Sequence, residues 1–152
     1  MDKNATGKAL ERISALFSIP FQEFEEAFLL GDLDEAKRHH HEFAGDLVGL
    51  ESFVNHFHLE DAVAGVSLDP RSKRRHLNAL GEALIHVWAE RFAKELGDRK
   101  LLFYLGGPDD VTVRFHIERS EAPPWMSLDP EYAHQQRMRV YRASNGKVER
   151  IL

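Results

Sequence analysis

The chain has 152 residues, 43% of them hydrophobic and 30% charged, a size and balance that fit one globular domain and exclude a disordered chain. It has no cysteine, which excludes disulfides, thiolate nucleophiles and cysteine-held zinc. The formal charge of −5 divides into −9 over residues 1–69 and +4 over residues 70–152, a split that suggests internal complementarity and gives a nucleic-acid footprint little support.

The N-terminus carries charges with no apolar run behind them, so no secretory signal is expected. No stretch approaches the ~20 apolar residues of a membrane helix. A soluble, cytoplasmic protein is the expectation.

In chain order, Ala9, Leu10, Ile13, Leu16 and Phe17 recur at helical steps and predict a first helix over residues 5–17. Pro20 suits the start of a second helix, with Phe21, Phe24 and Phe28 on one stripe and Gly31 as its end. Asp32 and Glu35 have the spacing of a capping box opening a third helix, whose stripe runs Ala36, His40, Phe43, Leu47, Leu50, Val54, Phe57. Gly49 either breaks it into two pieces or lies with Gly45, four residues before, on one face that a neighbouring helix can approach closely. Gly31 to Ala36 looks like the link of a tetratricopeptide pair. Phe24 and Phe43 stand where that repeat takes Gly and Ala, and no second copy follows, so an ordinary αα-hairpin is expected.

Asp69-Pro70 opens the clearest helix, which carries a seam from Leu77 to Leu96 and stops at Gly97. After Lys100 the rhythm becomes alternating. Leu101–Leu105 and Val111–Ile117 read as strands around the turn residues 106–110. Arg137–Ala143 and Lys147–Leu152 flank Asn145-Gly146, the signal of a two-residue hairpin. That turn pairs Arg142 with Glu149, Tyr141 with Arg150 and Val140 with Ile151. The expected fold is a single α+β domain, residues 1–152. A helical layer of about four helices (5–97) packs on a C-terminal antiparallel four-stranded sheet (101–152).

Motifs for chemistry are sparse. Thr6-Gly7-Lys8 matches only the tail of a phosphate-binding loop, and neither a nucleophile elbow nor a dinucleotide fingerprint is present. Nine histidines invite a metal reading. His39, His40 and His41 point about 100° apart on a helix and cannot grip one ion together. A bundle site would need His40 or His86 to converge with two carboxylates, and His56-Phe57-His58 with Asp61 is a further cluster. No complete ligand set follows from the spacing, so no metal and no cofactor are assigned.

The strands offer Arg114 and His116 on one, Arg139 and Tyr141 on another. If their polar sides coincide, these four line an anion-favouring surface. Trp125, in the long segment 120–136 between strands, is either a contact for a partner or a cover for the sheet edge. The binding residues are therefore Arg114, His116, Trp125, Arg139 and Tyr141, with no catalytic residue assigned. The expected function is a non-catalytic binding module for a protein partner or a second copy of itself. The alternative is a ligand-binding domain or enzyme with a pocket between helices and sheet and His116 as general base. A helical-bundle metal site is the third reading.

Overall fold

The computed structural model describes residues 3–152. Helix α1 (Lys3–Ser18) is followed by strands β1 (Phe21–Phe24) and β2 (Ala27–Leu30), then α2 (Leu33–His39) and α3 (Leu47–Val54). Strand β3 (His56–His58) and the short α4 (Leu59–Ala62) lead to α5 (Pro70–Leu96). Strands β4 (Lys100–Gly106) and β5 (Thr112–Glu118), helix α6 (Pro130–Gln135), and strands β6 (Met138–Ser144) and β7 (Lys147–Arg150) complete the chain. Helix and sheet are mixed and both sheets are antiparallel, so the α+β class holds. The larger sheet has five strands in the order β3-β5-β4-β6-β7, not four, and the smaller one is the β1–β2 hairpin.

The capping chemistry of α5 works as its letters indicate. Asp69 accepts from the Arg71 N–H at 3.2 Å, Pro70 opens the helix, and the chain leaves it at Gly97. Its seam packs Leu77, Leu84, Trp88 and Phe92 against Leu101, Phe103, Leu105, Val113 and Phe115 of the sheet in one core. These rings and branched chains fill the space between α5 and the sheet, and the hollow between helix and sheet lies instead beside α1, against β3.

Two elements correct the expected helices. The segment after Pro20 is a β-hairpin, with Glu25 and Glu26 at positive φ in a two-residue turn and Phe21 opposite Leu30. All four residues Ala27–Leu30 are buried. Phe28 and Leu30 enter the main core while Ala27 and Leu29 enter a second cluster with Leu50 and Val54. A strand apolar on both faces shows no alternation, and its Phe spacing imitates a helical stripe. No αα-hairpin forms there.

The third helix is divided. Asp32 does cap α2, accepting from Asp34 and Glu35 N–H. The chain then turns at Ala44 and Gly45, both at positive φ, and restarts at α3 under the carboxylate of Asp46. Gly45 lies in the break and Gly49 in α3, so they share no helical face. Phe57, the last residue of the expected stripe, belongs to β3.

Helix α3 also joins the two sheets. Glu51, fully buried, takes the Phe28 N–H at 2.7 Å and the Ile117 N–H at 2.8 Å, and the guanidinium of Arg119 holds both its oxygens. One turn on, Asn55 accepts from Leu30 N–H and donates to the Phe28 carbonyl. Side chains here take the place of a missing strand between β2 and β5.

Asn145 and Gly146 adopt positive φ, and the β6–β7 register pairs Arg142 with Glu149 and Tyr141 with Arg150 as expected. Val140 meets Ile151 across a bulge, since both Ile151 and Leu152 N–H donate to its carbonyl. The side chains choose other partners. Arg142 forks onto Glu118 at 2.7 and 2.8 Å, and Tyr141 reaches Glu82 on α5.

Candidate cleft on the outer face of the sheet

The register decides which candidate residues meet. Leu105 stands opposite both Val113 and Arg139, and Phe103 opposite Tyr141, so Arg139 and Tyr141 face α5. There Arg139 donates to Glu82 at 2.8 Å and the Tyr141 hydroxyl donates to the same oxygen at 2.6 Å. The Tyr141 bond holds the Glu82 carboxyl below its ordinary range. Burial, with that carboxylate, pushes the Tyr141 phenol up to about 12. Arg114 and His116 lie on the opposite face, where Leu102 is opposite His116 and Tyr104 opposite Arg114. The four-residue surface expected from the strands is therefore split by the sheet itself.

His116 is buried, and both ring nitrogens are engaged. Nδ1 lies 2.7 Å from the Ile117 carbonyl and therefore carries the proton. Nε2 accepts from the Trp125 backbone N–H at 3.2 Å and lies 2.9 Å from the Tyr104 hydroxyl. Burial pushes the ring's pKa down, so it stays neutral. This histidine clasps the 120–136 segment to the sheet and has no free nitrogen to turn toward a substrate. In that segment Asp129 caps α6 by accepting from Tyr132 N–H, while Met126 and Ala133 pack on Leu102, Tyr104 and Val140.

Trp125 is thereby laid over Arg114, with the guanidinium carbon 4.1 Å from the ring centroid, and meets Tyr104 edge-on. Arg114 donates through Nη1 to the Ser52 carbonyl at 2.7 Å and through Nη2 to His56 Nδ1 at 3.1 Å. The second bond requires an unprotonated Nδ1 and places the proton of His56 on Nε2. Burial first, then the neighbouring Arg114 charge, lowers the His56 pKa to about 4. Burial alone lowers Arg114 to about 10. No carboxylate lies within ion-pair distance of this guanidinium among the described residues.

These groups border a cleft of about 490 Å3, bounded by His56, His58, Asp110, Arg114, Trp125 and Tyr132. At its lip His58 Nδ1 is hydrogen-bonded to Asp110, a contact that holds the Asp110 carboxyl below its ordinary range. Asp110 is presented by a tight loop. Gly106 adopts φ 129°, where a Cβ would strike the Arg137 carbonyl. Arg74 of α5 donates to the Gly107, Pro108 and Asp109 carbonyls of the same loop.

Of the residues expected from sequence, Arg114 and Trp125 meet in the cleft, His116 anchors it from beneath, and Arg139 and Tyr141 belong to the helix–sheet joint. His56 and His58 do share one site, as their i, i+2 spacing allows on a strand. The carboxylate bonded to His58 is Asp110, which only the pairing of β3 with β5 brings near, while Asp61 borders the hollow beside α1 together with His56, Phe57 and His58. His40 stacks edge-on against Phe24, and His86 is exposed on α5. No group of three or more His, Asp or Glu side chains is placed to hold a metal ion among the described residues. Nor is any helix among them long and apolar enough to cross a membrane. No family model matches the chain, and neither a curated protein nor a solved structure shows significant similarity to it.

Proposed function

We propose that the protein is a non-catalytic binding module that receives an anionic group, a carboxylate above all, against Arg114 in the outer cleft. The observation that carries this reading is a half-buried guanidinium with no neutralising acid among the described residues, backed by an exposed tryptophan and facing a hollow of ligand size. Burial without a counter-ion disfavours the charged form, and an incoming carboxylate restores what burial removed. The arginine is already oriented by Ser52 and His56, so little freedom is lost when it binds. Trp125 supplies a flat apolar wall for the body that bears the charge. His56 adds an Nε2–H donor beside the guanidinium.

Titration with succinate and with phenylacetate, followed by the NMR signals of the Trp125 indole N–H and the Arg114 side chain, tests this. Saturable shifts of both are expected, and Arg114→Gln should lose them while its remaining spectrum stays native. Unmoved signals up to the solubility limit of both acids would reject the reading.

A further inference from the structure

We infer that the partner is an extended acidic peptide segment that adds as a strand to the free edge of β3, its side chains alternating between the outer cleft and an apolar hollow beside α1. The inference rests on the reading that Arg114 receives a carboxylate.

The first ground is the backbone. Phe115 N–H donates to the Asn55 carbonyl and Leu59 N–H to the Val111 carbonyl. In an antiparallel ladder the residues that bond the neighbour alternate with residues that turn away from it. Phe57 therefore faces β5, and the N–H and C=O groups of His56 and the N–H of His58 point out of the sheet. β3 is the terminal strand of its sheet, and because His58 is also the N-cap of α4, whose first turn takes its carbonyl, the groups left on the edge are the N–H and C=O of His56 and the N–H of His58. An exposed edge of this kind is a template for one further strand.

The second ground is that this edge separates two hollows of opposite chemistry. On the outer face lie His56, His58, Arg114 and Trp125. On the inner face a mostly apolar hollow of about 360 Å3 is bounded by Ala15, Leu16 and Ile19 of the α1 region, by Phe57 and by Ala62, with Asp61 and the two β3 histidines also on its border. Arg12 lies across its rim, tied to the Ala62 and Ala64 carbonyls. Successive side chains of a strand point to opposite faces. A peptide lying along His56–His58 thus sends every second side chain toward Leu16 and Phe57 and the others toward Arg114. Apolar residues fit the first set. Acidic residues fit the second, because no carboxylate among the described residues pairs with Arg114.

His58 allows the backbone contribution to be isolated. Its φ of −81° and ψ of 113° are open to proline, its N–H is turned away from the ladder, and Phe57 before it is extended. His58→Pro removes one outward donor and the imidazole, and His58→Ala removes the imidazole alone. The probe is an acetylated, amidated peptide of three Val-Glu repeats, compared with succinate by calorimetry and by the amide signals of His56 and His58.

The peptide is expected to bind about tenfold tighter than succinate, to protect both amides from exchange, and to lose that gain in His58→Pro but not in His58→Ala. A peptide N-methylated at alternate residues should lose it on the unaltered protein, which keeps the test independent of how the proline variant folds. If the peptide binds no tighter than succinate and the two amides do not respond, the strand inference fails while the Arg114 reading stands. If neither probe binds, both fail. If light scattering shows a dimer that His58→Pro separates, a second copy occupies the edge and the peptide proposal is overturned.

Discussion

Two arginines of β5 and its end, Arg114 and Arg119, both reach helix α3 and are treated in opposite ways. Arg119 grips the buried Glu51 through both terminal nitrogens, and the oxygens of that carboxylate also take two backbone N–H groups. Both oxygens of the carboxylate and both terminal nitrogens of the guanidinium are used within the fold. Among the described residues Arg114 meets only neutral acceptors, a carbonyl and an imidazole, and its Nε finds no protein partner there. A saturated charge pair reads as architecture, and an unsaturated cation beside a hollow reads as a site. Burial alone would not have separated them.

The contrast is best attacked first at its closed member. Glu51→Ala leaves Arg119 and the amides of Phe28 and Ile117 without their acceptor. It should cost about 3–5 kcal/mol in urea unfolding, as removal of one partner from a buried pair does. A loss below about 1 kcal/mol would show that this joint carries no more weight than an ordinary surface pair. At the open member, Arg114→Met takes away a half-buried charge that no acid neutralises, so the change in stability should stay within about 1 kcal/mol while succinate binding disappears. A large destabilisation there would make Arg114 a second structural arginine and erase the distinction.

The smallest effect is the pH response. Burial lowers His56 to about 4 from an ordinary 6.5, and lowers His116 in the same direction. The unfolded chain therefore takes up protons that the folded one refuses. Stability is full above pH 6.5 and declines as pH falls through the window toward 4, after which folded His56 protonates as well. The carboxyls of Glu82, Glu118 and Asp110 are lowered too and lose their contribution only in more acidic solution. Urea titrations between pH 6.5 and 4.5 should show the decline, shallower in His56→Gln and also shallower with saturating succinate, since a bound anion favours protonated His56. A flat profile would remove His56 from the neutral pairing with Arg114.

Legibility followed the periodicity. Helix α5 and the β6–β7 hairpin were readable because one face of each is polar and because Asp69-Pro70 and Asn145-Gly146 are strong local signals. The β1–β2 hairpin was not, because Ala27–Leu30 is buried on both faces and its phenylalanines fall at helical intervals. Strand β3 was hidden for another reason: three residues are too few to show a period, and only the pairing with β5 defines it. Within the site, Arg114 and Trp125 were visible as residue types. The partition of Arg139 and Tyr141 to the far face depends on register against β4, where Leu105 opposite Arg139 fixes the side. Asp110 carries no signal of its own in a turn-forming run.

The brace built by Glu51 has a consequence for the order of assembly. Its two hydrogen-bonded ends, Glu51 and Arg119, are 68 positions apart, and Phe28 enters from the other direction. A contact spanning so much chain closes only after the sheet and α3 are in place, since loop closure must precede it. The brace therefore acts as a latch. Its loss in Glu51→Ala is therefore expected to speed unfolding far more than it slows refolding in urea-jump kinetics, and to loosen the two-stranded β1–β2 hairpin first.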